Sequence, residues 1–385
     1  MDFGLSEEQV ILRDSVRRMM DRHATPDYIR RLDREQTYPY DLYAEWIAMG
    51  LLKLPFPEAY GGLGEDAIDM VIVAEELAAK CFDFFSTYGA GVFCGLNIAR
   101  KGTEEQKQRW LPRLLSGEIR MSISMSEPDA GSDVGALRTT AVKDGEVWVI
   151  NGQKVWATGA GARDNVINLY ARTDPKAHYR SALSLFLVPN NLPGITLHKL
   201  DMLGRRCVGT YEIFFDNVRV PAENLVGGGP NNGWDCVLTG LQIERITAAA
   251  GYCGGARAVH DLALQYAKDR KQFGRPIGTN QAIAHMLADM QTEIEVARTM
   301  MWRAAWALSR SDPEALKLIT MAKLFVSEAY VKAANTGMQI FGGAGYNMEF
   351  DMQRHFRGSP SSTIAAGSSQ MQRNLLAGMM GLKVQ

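Results

Sequence analysis

Charge imbalance is what this chain most conspicuously lacks: 42 Lys and Arg face 43 Asp and Glu, a formal net charge of -1 over 385 residues. No field of one sign therefore points to nucleic acid or to an anionic membrane surface, and the expected partner is a small molecule. Cysteine is scarce. Cys81, Cys94, Cys207, Cys236 and Cys253 are widely spaced, odd in number and without a C-x-x-C pair. That excludes a disulfide framework or a cysteine-rich zinc site, and reads as reduced, buried thiols of a cytoplasmic protein. No apolar run approaches the ~18 residues of a membrane span, and the acidic start MDFGLSEEQV lacks the basic segment of an export signal. The cluster Gly61-Gly62-Leu63-Gly64 follows no strand pattern and lacks G-x-G-x-x-G spacing, which argues against a nicotinamide site.

What is present is a change of period along the chain. Ser6 followed by Gln9 has the form of a capping box, and Val10, Val16, Met19 and Met20 then keep helical spacing. Further helices are predicted over 69–79 and 103–115, separated by the loop PEAYGGLGED. From about residue 119 the pattern turns strand-like: EVWVI, an Asn151-Gly152 hairpin turn, QKVWAT, VINLYAR, ALSLFLVP and YEIFFDNVRVP. After the linker GGGPNNG, helical stripes return, one of them Met290, Ile294, Ala297, Met301 and Leu308. The Met and Trp residues there read as core packing. The expected fold class is α+β: an N-terminal helical domain over 1–118, a middle β-barrel or β-sandwich domain over 119–226, and a C-terminal four-helix bundle over 227–385.

Three stretches carry the chemistry. MSISMSEPDAGSD, residues 121–133, is a polar turn rich in donors, which composition alone reads as a capped loop. VWATG, residues 155–159, sets a Trp face fit for a planar heterocycle beside a Thr two positions on, the same side of an extended strand. IAAGSSQMQ, residues 364–372, is small and neutral, open to close approach of a ligand but without an acid or base.

These stretches resemble the flavin-dependent acyl-CoA dehydrogenases, in the family's order and over essentially the whole chain. MSEPDAGSD resembles T-E-P-x-A-G-S-D, VWATG resembles W-I-T-N, RKQFG resembles R-x-x-F-G, and MQIFGGAGY resembles V-Q-x-x-G-G-x-G-Y. The resemblance implies bound FAD, with Met125, Ser126, Trp156 and Thr158 around its ring. Arg270, Gln272, Phe273, Gln339 and Gly343 would hold its diphosphate and adenosine, partly from a neighbouring subunit of a homotetramer, and Ser368 and Gln370 would touch the nucleotide. Ser132 would lie along the CoA arm, and Arg245 beside the substrate. An acyl-CoA substrate and an electron-transfer flavoprotein as electron acceptor are the implied partners, with no nucleic acid and no membrane.

The family's usual base is a Glu in a loop Y-E-G-T-S-Q, where this chain has Ala366. A minority branch, which includes isovaleryl-CoA and long-chain enzymes, places that Glu before an Arg on the first long C-terminal helix, and Glu244-Arg245 stands there in GLQIERITAAAG. Helical spacing supports this separately: Val237, Leu241 and Ala248 share a face with Glu244, so the carboxylate leaves an apolar stripe and is either paired, with Arg245 or Arg257, or functional. The implied reaction is α,β-desaturation, Glu244 taking the α-proton, with the Ala366 N–H kept as a donor to the thioester oxygen. Ala365 and Ala366, smaller than the family's Tyr and Glu, suggest a short, branched or cyclic acyl group. Trp156-Ala157-Thr158-Gly159 and Arg357-Gly358 depart from W-I-T-N and from the family's Arg-Asp pair. The same residues equally serve an enoyl-CoA reductase or a carrier-protein thioester dehydrogenase. A non-catalytic flavoprotein module resembling the adaptive-response branch is the rival of another class; that branch carries a basic C-terminal extension, and this sequence ends in GLKVQ.

Overall fold

A computed structural model describes residues 4–64 and 66–383. Helices α1 (Glu7–His23), α2 (Pro26–Glu35), α3 (Tyr40–Ala48), α4 (Ala67–Lys80), α5 (Phe82–Lys101) and α6 (Glu104–Leu115) come first. Strands β1 (Arg120–Ser124), β2 (Thr140–Asp144), β3 (Val147–Thr158), β4 (Asn165–Arg172), β5 (Leu183–Pro189), β6 (Ile195–Leu200) and β7 (Thr210–Pro221) follow. The rest is helix α7 (Gly233–Asp269), a small hairpin of β8 (Lys271–Gln272) and β9 (Arg275–Pro276), then α8 (Gln281–Ser309), α9 (Ala315–Phe341), α10 (Met352–Gly358) and α11 (Ser369–Met379). The helical, β and helical order of the sequence is thus present. In space the chain forms two compact units, the described residues within 1–34, 66–85 and 245–385, and those within 35–65 and 86–244.

In the first unit, Ser6 and Gln9 close the capping box that starts α1, and Val16 and Met20 are its buried face. Met290, Ile294, Ala297 and Met301 of α8 are buried as their spacing requires, while Leu308 is half-buried. Two buried carboxylates on α4 are held by guanidinium groups from three helices. Glu75 accepts from Arg257 at 2.6 Å and Arg298 at 2.8 Å, and Glu76 accepts from Arg17 and Arg257, both at 2.9 Å. Such groups survive burial because each charge is paired and hydrogen-bonded.

His355 of α10 is a different case. Its ring is buried, Nδ1 lies 3.2 Å from the Tyr330 hydroxyl, and burial first, then the Arg354 charge, push its pKa down from 6.5 to about 3. Between those values the unfolded chain binds a proton that the folded chain refuses, so stability falls as pH falls through that window. From about pH 7 to about pH 5 the loss is expected to be about 2 kcal/mol. Urea midpoints across that range test it, since His355→Gln should flatten this part of the acid limb; an unchanged slope would refute the assignment.

The second unit is built on one seven-stranded sheet in the order β1-β4-β2-β3-β7-β6, with β5 also paired to β4. β1 runs parallel to β4, β5 antiparallel to it, and β2, β3, β7 and β6 are antiparallel neighbours. Trp148, Ile150, Phe186, Ile213 and Phe215 form part of its core. The expected hairpin at Asn151-Gly152 is not there: β3 runs straight through both residues, and the turn lies earlier, between Asp144 and Val147, with Gly145 at φ +59°. Asn151 and Gly152 instead form a bulge against β7, where the Asn151 side chain accepts from the Asn217 N–H at 2.8 Å. A Cβ at Gly152 would stand 2.5 Å from Thr139 Oγ1, so the glycine serves close strand approach.

Candidate active site

The sheet unit brings MSEPDAGSD and VWATG together. Val155 N–H donates to the Ser126 carbonyl at 2.9 Å, and Lys154 Nζ reaches the Met125 carbonyl at 2.8 Å. Lys154 is fully buried and also bonds Glu127 Oε1 at 2.8 Å, while Glu127 accepts from the N–H groups of Arg138 and Thr139 at 2.7 and 2.9 Å. Burial pulls the Lys154 ammonium down to about 8 against the upward pull of Glu127. The pair thus fixes Met125 and Ser126 against β3. Sequence reading missed it, although a lysine between strand residues of QKVWAT was a signal.

A second bulge in β3, between Lys154 and Ala157, presents Trp156. Trp156 has φ +63° and is 60% exposed. Strand alternation therefore does not place it beside Thr158 as expected, because the strand is not extended there. A bulky residue in the left-handed region costs about 1–3 kcal/mol and persists where its surroundings impose it, commonly at functional sites. Thr158 is half-buried with Oγ1 3.3 Å from Thr210 Oγ1, and Ser132 is exposed.

Glu244 is half-buried on α7, with Val237 and Ala248 buried and Leu241 half-buried on its face. Its carboxylate is near Cys94 of α5 and Tyr170 of β4. Burial pushes the Cys94 thiol up, and Glu244 pushes it further; Tyr170 is raised first by burial, with Cys236, Cys94 and Glu244 adding. Arg257 binds Glu75 and Glu76, and Arg245 Nε donates to the Ala366 carbonyl at 3.3 Å.

In the helical unit Ala366 sits at φ +56°, followed by Gly367 at +84°. Ser368 is the N-cap of α11, its hydroxyl accepting from the Met371 N–H, and Gln370 is exposed on the first turn. The ring of Tyr266, near the end of α7, stacks at 4.1 Å on Phe341, near the end of α9. Arg270 N–H donates to the Tyr266 carbonyl, so RKQFG and MQIFGGAGY are neighbours. Arg270, Gln272 and Gln339 are exposed, and Phe273 at the hairpin tip is 99% exposed. Arg357, followed here by Gly358, pairs with Asp33 of α2 at 2.6 Å.

Each unit carries residues suited to a part of a flavin dinucleotide. Trp156 offers an open aromatic face, Arg270 an unburied cation, and the space a Cβ would take at Gly342 or Gly343 has no atom within 4 Å, leaving room for a ligand to approach the backbone there.

Comparison with known proteins shows the family. "Acyl-CoA dehydrogenase, N-terminal domain" matches residues 6–118, the middle domain of that family 122–218, and its C-terminal domain 231–381. The probable acyl-CoA dehydrogenase YngJ of Bacillus subtilis (strain 168) is 38% identical, covering 98% of this chain and 99% of its own. The solved glutaryl-coenzyme A dehydrogenase in complex with glutaryl-CoA superposes with TM-score 0.94 at 35% identity, covering 100% of this chain and 98% of its own. A chain from the structure described as the electron transferring flavoprotein of Acidaminococcus fermentans superposes equally well, TM-score 0.94 at 31% identity, covering 99% of each. With all three of its segments matched, the chain belongs to the acyl-CoA dehydrogenase family.

Proposed function

We propose that this enzyme desaturates the α,β-bond of an acyl-CoA thioester, with Glu244 as the base that takes the α-proton. The observation that carries the reading is the pairing of a loss with a gain: Ala366 stands in the loop where most of the family keeps its Glu, and Glu244 leaves an apolar face of α7. A carboxylate projecting from an apolar helix face can take a proton from a weakly acidic carbon held against that face. The Ala366 N–H would donate to the thioester oxygen as negative charge develops there. FAD, when bound, supplies the acceptor for the β-hydrogen and its electron pair. Met125, Ser126, Trp156 and Thr158 would hold its ring, and Arg270, Gln272, Phe273, Gln339 and Gly343 its diphosphate and adenosine, with Ser368 and Gln370 on the nucleotide. Ser132 and Arg245 would contact the substrate.

Small side chains at positions 365 and 366 favour a short, branched or cyclic acyl group. Exposed Phe273, with the exposed Val296 and Trp306 of α8, supports assembly as a homotetramer in which Phe273 reaches a neighbour's cofactor. An electron-transfer flavoprotein is the proposed electron acceptor, in keeping with the Acidaminococcus structure. No described helix is long and apolar enough to cross a membrane, and a cytoplasmic location is part of the proposal.

The test is an oxygen-free series of acyl-CoA thioesters of differing length and branching, followed by bleaching of the bound flavin, with light scattering on the same preparation. Bleaching by at least one saturated thioester is expected. Bleaching by none, with reoxidation by an enoyl-CoA instead, would overturn the direction; a flavin-loaded monomer would overturn the assembly.

A further inference from the structure

Lys323, on α9, is fully buried, yet its ammonium is aimed at a loop rather than into a helix bundle core. Nζ donates to the Ser362 carbonyl at 3.1 Å and to the Gly367 carbonyl at 2.8 Å, the two ends of the segment that carries Ala366. Gln372, fully buried on α11, divides its amide between the carbonyls of Ala366 at 3.2 Å and Gly367 at 3.0 Å. Arg245 adds its bond to the Ala366 carbonyl. Three side chains from α7, α9 and α11 thus converge on two consecutive peptide oxygens. Among the described residues no acceptor takes the Ala366 N–H.

We propose that Lys323 is a positioning residue which, with Gln372, fixes the carbonyls of Ala366 and Gly367 so that the Ala366 N–H is held ready for the thioester oxygen. The inference rests on the reading of Ala366 given under the proposed function. Peptide units are rigid, so tying the carbonyls of residues 366 and 367 leaves the N–H direction of Ala366 to its own φ and ψ. That φ is +56°, where an alanine stays only if its surroundings over-determine it. A lysine needed merely to cap the turn over 359–363 would stop at Ser362 O; the second bond, to Gly367 O, lies beyond any such cap. An ammonium also makes stronger hydrogen bonds to carbonyls than a neutral donor would, which suits holding a strained loop. Donors to a developing oxyanion act through being fixed in advance, so a loop free to turn would lose the effect while still admitting substrate.

The experiment compares two probes on the FAD-loaded enzyme. Acetoacetyl-CoA binds as an enolate where its thioester oxygen is stabilised; an S-butyl-CoA thioether has the same length but no carbonyl oxygen. Lys323→Met is expected to weaken enolate binding about tenfold or more, leave the thioether within about twofold, and be partly rescued by Lys323→Arg. Equal losses for both probes would show a merely structural lysine and overturn the proposal, as would no loss for either. Should Lys323→Met fail to fold, Gln372→Met removes donors from the same two carbonyls, and the same selective loss is expected or the proposal falls. If the parent enzyme binds the thioether but does not stabilise the enolate, the oxyanion reading of Ala366 itself is overturned, and this inference with it.

Discussion

Replacing Glu244 by Gln is expected to slow flavin reduction by the best acyl-CoA by about a hundredfold or more, while the thioester still binds. Gln keeps the length and shape of the side chain and can still donate or accept a hydrogen bond, but it cannot take a proton from carbon. Binding without turnover would show as a shift of the flavin spectrum without bleaching, read by stopped flow in the absence of oxygen. A parent rate of bleaching in Glu244→Gln would remove it as the base. The acids after MQIFGGAGY would then be examined, of which Asp351 is already bound to Arg30 at 3.0 Å and Arg354 at 3.1 Å.

Much of this architecture is written in local signals. The capping boxes at Ser6 and Thr103 start α1 and α6 where the spacing says they should, because side-chain caps act over three residues and need no tertiary partner. The apolar strands VINLYAR and ALSLFLVP became β4 and β5, buried on both faces. Non-local pairing was harder to read. Asn-Gly is a strong hairpin signal, yet Thr139 and Asn217 contact that dipeptide from elsewhere in the sheet and turn it into a bulge. The site shows the same division. Motif residues were legible because each belongs to a short pattern, whereas the groups that hold them were not. Lys154 and Lys323 are lysines in apolar surroundings, and only the fold shows which carbonyls their ammonium groups reach.

Lys154→Met is expected to destabilise the protein by about 3–5 kcal/mol, the usual result of removing one partner from a buried ion pair. The methionine fills a similar volume, so packing is not the main loss. What remains is a Glu127 carboxylate, 7% exposed, with two backbone N–H donors but no countercharge, and a Met125 carbonyl without its donor. Adding Glu127→Gln to the same variant should return part of the loss, since a buried neutral amide is less costly than an unpaired carboxylate. A urea-denaturation cycle of the two single variants and the double measures the coupling. The cofactor offers an independent reading. Lys154 and the Val155 N–H are two ties between β3 and the Met125–Ser126 segment, so losing one should raise the FAD dissociation constant before the protein unfolds. If Lys154→Met costs less than about 1 kcal/mol and releases no FAD, the buried pair does not hold the ring-binding segment.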